Sequence, residues 1–125
     1  MEIPKLLTNW QNAIKDKDVK IILDNYAKEA VLLGIYANNI KIGHYQIKTY
    51  FDELIKKEEL NVVFNEIFAQ KITNGEVYNG VYTFMWKDKY LNLHKSAKAR
   101  FTFVYKKIKG KGKILTHHSS VQYNW

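Results

Sequence analysis

Up to Ile55, apolar residues recur at three- and four-residue steps; beyond Leu60 they recur at every second position. Ile3, Leu6, Leu7, Trp10, Ala13 and Ile14 mark one face of a first helix, with Pro4 at a start position that tolerates it. Asp18 caps a second, short helix through Ile21, Ile22 and Leu23 to about Tyr26. Ala30 to Tyr36 reads as a short strand, Asn38-Asn39 as a turn and Ile40 to Ile42 as the return strand. After Gly43, the positions Ile47, Tyr50, Phe51, Leu54 and Ile55 mark another helical face, with Lys56 and Lys57 at the negative end of its dipole. Four long strands follow, over Asn61–Thr73, Glu76–Trp86, Tyr90–Ile108 and Lys113–Tyr123, the first two joined by the hairpin signal Asn74-Gly75. Helices followed by a meander of long strands predict an α+β fold, with helices packed on one face of a curved antiparallel sheet.

Composition narrows this picture. With 125 residues, 46% hydrophobic and 14% aromatic, the chain reads as one globular domain over 1–125. The absence of cysteine excludes disulfides, a thiol nucleophile and a Cys-based metal site. No run approaches the roughly 20 apolar residues of a membrane span, and the start M-E-I-P-K-L-L-T-N-W has no secretory pattern. A cytoplasmic protein without a membrane partner is therefore expected. The net charge is +8, but Arg100 is the only arginine, and the densest lysine cluster (Lys106, Lys107, Lys109, Lys111, Lys113) falls on a predicted hairpin tip. Groove and phosphate recognition leans on guanidinium forks, whereas lysines at such edges also prevent edge-to-edge aggregation. No specific nucleic-acid partner is expected.

Candidate chemistry concentrates in the last hairpin, Ala97 to Val121, which holds Arg100 together with His117 and His118. An arginine inside a β-branched and aromatic strand needs water, an anion or a partner. Ala97, Ala99, Phe101, Phe103 and Tyr105 share one face of its strand; Lys98, Arg100, Thr102 and Val104 share the other. Alternation alone puts the aromatic face in the core and Arg100 in water. His117 and His118 project to opposite faces. Adjacent strand residues do not chelate one ion, and His44 and His94 carry no motif, so neither metal nor cofactor is expected.

The order helix–helix–short hairpin–helix–long strands resembles the nuclear-transport-factor-two-like (SnoaL-like) cone fold shared with polyketide cyclases and ketosteroid isomerase. More narrowly, the chain resembles the bacterial relatives of the association (hub) domain of calcium/calmodulin-dependent protein kinase type II. The matching residues include Trp10 with Ala13, Lys17-Asp18, Tyr26-Ala27, Ala30-Val31-Leu32-Leu33, Gly43 with Ile47, Tyr50 and Phe51, and Gly80-Val81-Tyr82-Thr83-Phe84. The most specific are Ala99-Arg100-Phe101-Thr102-Phe103-Val104-Tyr105 and His117-His118-Ser119-Ser120. Departures are Gly112 where relatives carry Trp, Thr116 in place of the first of three histidines, and Phe84 and Ser119 where the kinase hub has pocket arginines. No kinase motif is present, which excludes phosphotransfer.

The resemblance implies a cystatin-like roll, a cone-shaped sheet wrapped around the N-terminal helices, and reverses the facing that alternation gives. On it, Arg100 points into the cone beside His117 and Ser119; Tyr82, Phe84, Tyr26 and Trp10 line or close the pocket, with His118 the alternative to His117. Phe101, Phe103, Tyr105 and Tyr123 then face a neighbouring subunit. A lone arginine in a lysine-rich chain favours this arrangement. The expected function is an oligomerisation and ligand-binding domain, partnered by itself as a homodimer or larger ring and by a small carboxylate or other small-molecule ligand. The alternative is an isomerase, cyclase or hydratase using a His/Arg pair. That alternative is under-equipped: Glu66 is the only acid placed mid-strand, and no residue is assigned as catalytic.

Overall fold

In the computed structural model, residues 1–123 are described; the last two of the expected domain 1–125 lie outside the described residues. The helix α1 (Lys5–Asp16) buries Leu7, Trp10, Ala13 and Ile14 and ends at Lys17, whose φ of 57° is left-handed. In α2 (Val19–Asp24) the Asp18 carboxylate accepts the amide of Ile21 at 3.2 Å, the cap its sequence implies. This helix stops two residues before the predicted Tyr26. That residue instead opens β1 (Tyr26–Leu33), which runs parallel to β6 (Lys111–Val121). A parallel partner more than 80 positions away is invisible to local pattern, so Tyr26 reads as helix when only its neighbours are considered.

The two-residue β2 (Lys41–Ile42) leads into α3 (Gly43–Leu54), where Gly43 holds a φ of +80° that favours glycine. Ile47, Tyr50, Phe51 and Leu54 are its buried face. Then come β3 (Glu58–Ile72), β4 (Gly75–Asp88), β5 (Leu93–Ile108) and β6. The six strands form one curved, unclosed sheet in the order β2-β1-β6-β5-β4-β3. The α+β architecture, with N-terminal helices against a curved sheet, is the predicted one. Among the described residues no helix is long and apolar enough to cross a membrane.

Curvature comes from bulges, where the register shifts at Asn65 on β3, between Phe64 and Glu66, and at Leu115 on β6, opposite Val104 and Tyr105. One pair beyond the first bulge, opposite Ile67, stands Gly80, where an added Cβ would sit 1.9 Å from the Glu66 carbonyl oxygen and 3.1 Å from the Phe101 ring. Backbone cannot yield as a flexible side chain does. Gly80→Ala is expected to lower stability by about 1–3 kcal/mol, the usual range for overpacking, read as a reduced urea midpoint.

The bulges leave a clean division of faces. On the concave side Val62, Phe64, Tyr82, Phe84, Ala99, Phe101, Phe103 and Tyr105 join the buried residues of α1 and α3 in one core. On the convex side Val63, Val77, Val81, Met85 and Val104 lie outside that core.

Candidate functional site

At the centre of the cone stands His117, 3% exposed, among rings that are nearly or wholly buried. Trp10, from α1, stacks on Tyr82 at 5.6 Å and meets His117 edge-on at 5.6 Å; Phe103 stacks on the imidazole at 4.0 Å. These residues come from α1, β4, β5 and β6. They meet because cross-strand pairing sets Phe103 opposite His117 and Phe101 opposite Ser119.

A directional hydrogen-bond chain threads the cluster. The Trp10 Nε1–H donates to Tyr26 Oη at 3.1 Å. Tyr26 Oη lies 2.8 Å from His117 Nδ1, and His117 Nε2 lies 3.0 Å from Tyr82 Oη. The Tyr26 hydroxyl has one proton, and His117 is the only acceptor it meets among the described residues. It therefore donates to Nδ1, which leaves the imidazole proton on Nε2, donated to Tyr82. Tyr82 in turn reaches the Ser119 side chain. No buried side-chain nitrogen or oxygen in the described residues lacks a partner.

Burial sets the charge states. It pushes His117 from 6.5 down to about 3, with His118 a smaller contributor in the same direction. Burial raises Tyr26 and Tyr82 well above the usual phenol value, against smaller lowering contributions from their hydrogen bonds with Trp10 and Ser119 respectively. His117 is therefore neutral, enclosed and fully hydrogen-bonded, with no carboxylate in the chain of contacts. Such a group holds tyrosines in place and is badly placed to exchange protons with a substrate.

The structure separates residues that the sequence reading grouped. Arg100 does not enter the cone: it is exposed on the convex face, where its Nη2 donates to Ser120 Oγ at 3.2 Å. Phe101, Phe103 and Tyr105 do not face a neighbour: they are 4%, 0% and 1% exposed within this chain's own core. The physical reason is that α1 and α3 offer these rings an apolar partner inside one molecule, whereas a guanidinium on that face would be buried without an anion. Alternation alone had this facing right. Tyr82, Phe84, Tyr26 and Trp10 lie on the concave side with His117 and Ser119, as core rather than as the wall of an open chamber. His118 is exposed on the convex face opposite Thr102, and Tyr123 is exposed just beyond β6.

Several open features lie elsewhere, among them a hollow of about 500 Å³ bordered by the predicted pocket residue Tyr26 together with His44 and Lys113. A groove of about 640 Å³ runs between α1, α2 and the start of β6, lined by Lys5, Asn12, Asp24 and Gly112 among others, and none of the predicted site residues borders it. A shallow hollow of about 220 Å³ is bordered by Arg100, Thr102, His118 and Ser120. The convex surface holding that hollow is what the sequence reading overlooked. Its signal was present in the parity of Val81 against Tyr82 and Phe84 and of Val104 against Phe103 and Tyr105, whereas Glu66 has the parity of Phe64 and reaches this face only through the β3 bulge.

A cone of long antiparallel strands closed by N-terminal helices defines the nuclear-transport-factor-two-like and cystatin-like class of domains. Within it, the model for the calcium/calmodulin-dependent protein kinase II association domain matches residues 1–123, and the chain belongs to that family. A solved structure from Xanthomonas campestris described as such a domain is similar at 33% identity and a TM-score of 0.88, covering 94% of this chain and 83% of that one. A nuclear transport factor 2-like protein from Salmonella enterica serovar Typhimurium shares the fold at 14% identity and a TM-score of 0.83, covering 96% and 88%. So does a cystatin-like protein from Caulobacter vibrioides, at 11% identity and 0.77, covering 94% and 85%. No curated protein matches the sequence.

Proposed function

We propose that this domain is a self-assembly module that associates through the convex face of β3–β6, with the cone interior serving as its structural core. One observation carries the reading: the outward face of four long strands is only partly covered by their own chain, with Val77, Met85 and Val104 half-buried and Val81 8% exposed. Down its middle run Val77, Val81 and Met85 of β4, outside the core cluster, with Val104 half-buried beside them and Phe68 62% exposed. A contiguous, partly apolar sheet face of this length is commonly covered by another chain. Membership of a family described as an association domain supports the same reading.

The earlier expectation of a carboxylate held by Arg100 inside the cone loses its basis, since that side chain is outside. The enzymatic alternative needs a titratable group in contact with substrate, and His117 is enclosed and neutral.

Light scattering at micromolar concentration is expected to give a mass at least twice that of one chain. Phe68→Asp and Val104→Asp, both on the partly exposed face, are expected to shift it to one chain while thermal melting stays cooperative. A wild-type monomer at these concentrations sinks the reading. An assembly indifferent to both substitutions places the contact on another surface.

A further inference from the structure

Resting on that reading, we propose that a second copy docks on the convex face about a two-fold axis running along β4 over Val81, so that Glu66 of each copy pairs with Arg100 of the other. Glu66, Val81, Arg100 and Ser120 are successive cross-strand neighbours on β3, β4, β5 and β6, forming one row across the sheet. Both charged residues are exposed. With Val81 between them they stand two strand spacings apart, about 10 Å, and neither takes part in an ion pair among the described residues. Among the described residues the one hydrogen bond of the Arg100 side chain goes to the neutral Ser120 hydroxyl.

The charges on either side of β4 differ in kind. The β5 flank presents Lys98, Arg100 and Lys106; the β3 flank presents Asn65, Glu66 and Gln70, an acid with no base. Between them the outward column Met85, Thr83, Val81, Asn79 and Val77 carries no charge. A two-fold axis in the plane between two stacked sheets exchanges left for right, so whatever lies on the axis meets itself. An axis along β5 would set Arg100 and Lys98 against their own copies. An axis along β4 sets Val81 against Val81 and lays each β3 flank over the partner's β5 flank. The single acid then meets the single arginine twice in one interface, and like charges are kept apart.

The test is a charge swap at two exposed positions, read by sedimentation equilibrium, with a thermal melt showing that each variant folds. Glu66→Arg sets guanidinium against guanidinium, and Arg100→Glu sets carboxylate against carboxylate. Each is expected to weaken association at least about tenfold, and the double variant Glu66→Arg/Arg100→Glu to restore it. If the wild type assembles and the single reversals leave the affinity unchanged, this docking is wrong while self-assembly stands. If the double variant stays as weak as the singles, the pairing is wrong. A wild-type monomer removes both.

Discussion

Lowering the pH from 7 to 4 is expected to destabilise the domain by about 3 kcal/mol through His117 alone, at about 1.4 kcal/mol per pH unit below its unfolded value. Its folded value is depressed to about 3 from 6.5. In this window the unfolded chain binds a proton that the folded chain refuses. The stability from keeping the imidazole neutral is therefore fully present above 6.5 and is lost as pH falls toward 3. Urea unfolding across this range should show the slope, and His117→Phe should remove that proton's share of it. At neutral pH the same substitution takes from the Tyr26 hydroxyl its only acceptor among the described residues, with a loss of about 1–3 kcal/mol, and one donor from Tyr82, which keeps Ser119. The triple variant His117→Phe/Tyr26→Phe/Tyr82→Phe discards those hydroxyls along with their partner and should recover part of that loss. If wild type and His117→Phe share one acid profile, the buried imidazole has no such role.

Replacing Trp10 by alanine is expected to lower stability by about 3–5 kcal/mol, a large share of the 5–15 kcal/mol typical of a domain. Trp10 is fully buried and meets Phe64, Tyr82, Phe84, Phe103 and His117. Its indole N–H also supplies the first bond of the chain through Tyr26. The loss thus combines a cavity among five rings with removal of a donor to a buried hydroxyl. Trp10→Phe should be milder, keeping most ring contacts and losing the bond. Equal stability of wild type and Trp10→Ala in a denaturant titration would refute the central place given to this ring.

These two residues show how buried groups shape the chemistry of the cone. Its aromatic lining is continuous from Phe64 and Tyr82 through Phe101 to Phe103, with successive rings 4.8–6.1 Å apart. A polar group survives there only with every hydrogen bond made. His117 meets that condition because each ring nitrogen faces a tyrosine. Arg100, with five donors and a permanent charge, would not have met it, and the sheet turns it outward.

Much of this was legible in the chain itself. The three- and four-residue spacing of Leu7, Trp10, Ala13 and Ile14 and of Ile47, Tyr50, Phe51 and Leu54 determines α1 and α3, because helix geometry puts such residues on one face. Asn74-Gly75 and the alternation on either side determine the β3–β4 hairpin. Alternation along β5 likewise determines that Phe101, Phe103 and Tyr105 lie on the side opposite Arg100. Which of those sides is inside was settled only by tertiary structure, since it depends on where α1 and α3 pack. The same holds for the parallel pairing of β1 with β6, which carries Tyr26 beside His117 across 91 positions. It holds too for the row that places Glu66 two strands from Arg100, because strand order and bulge position are properties of the assembled sheet. Local sequence records the period of each element; the identity of its neighbours is decided only when the elements meet.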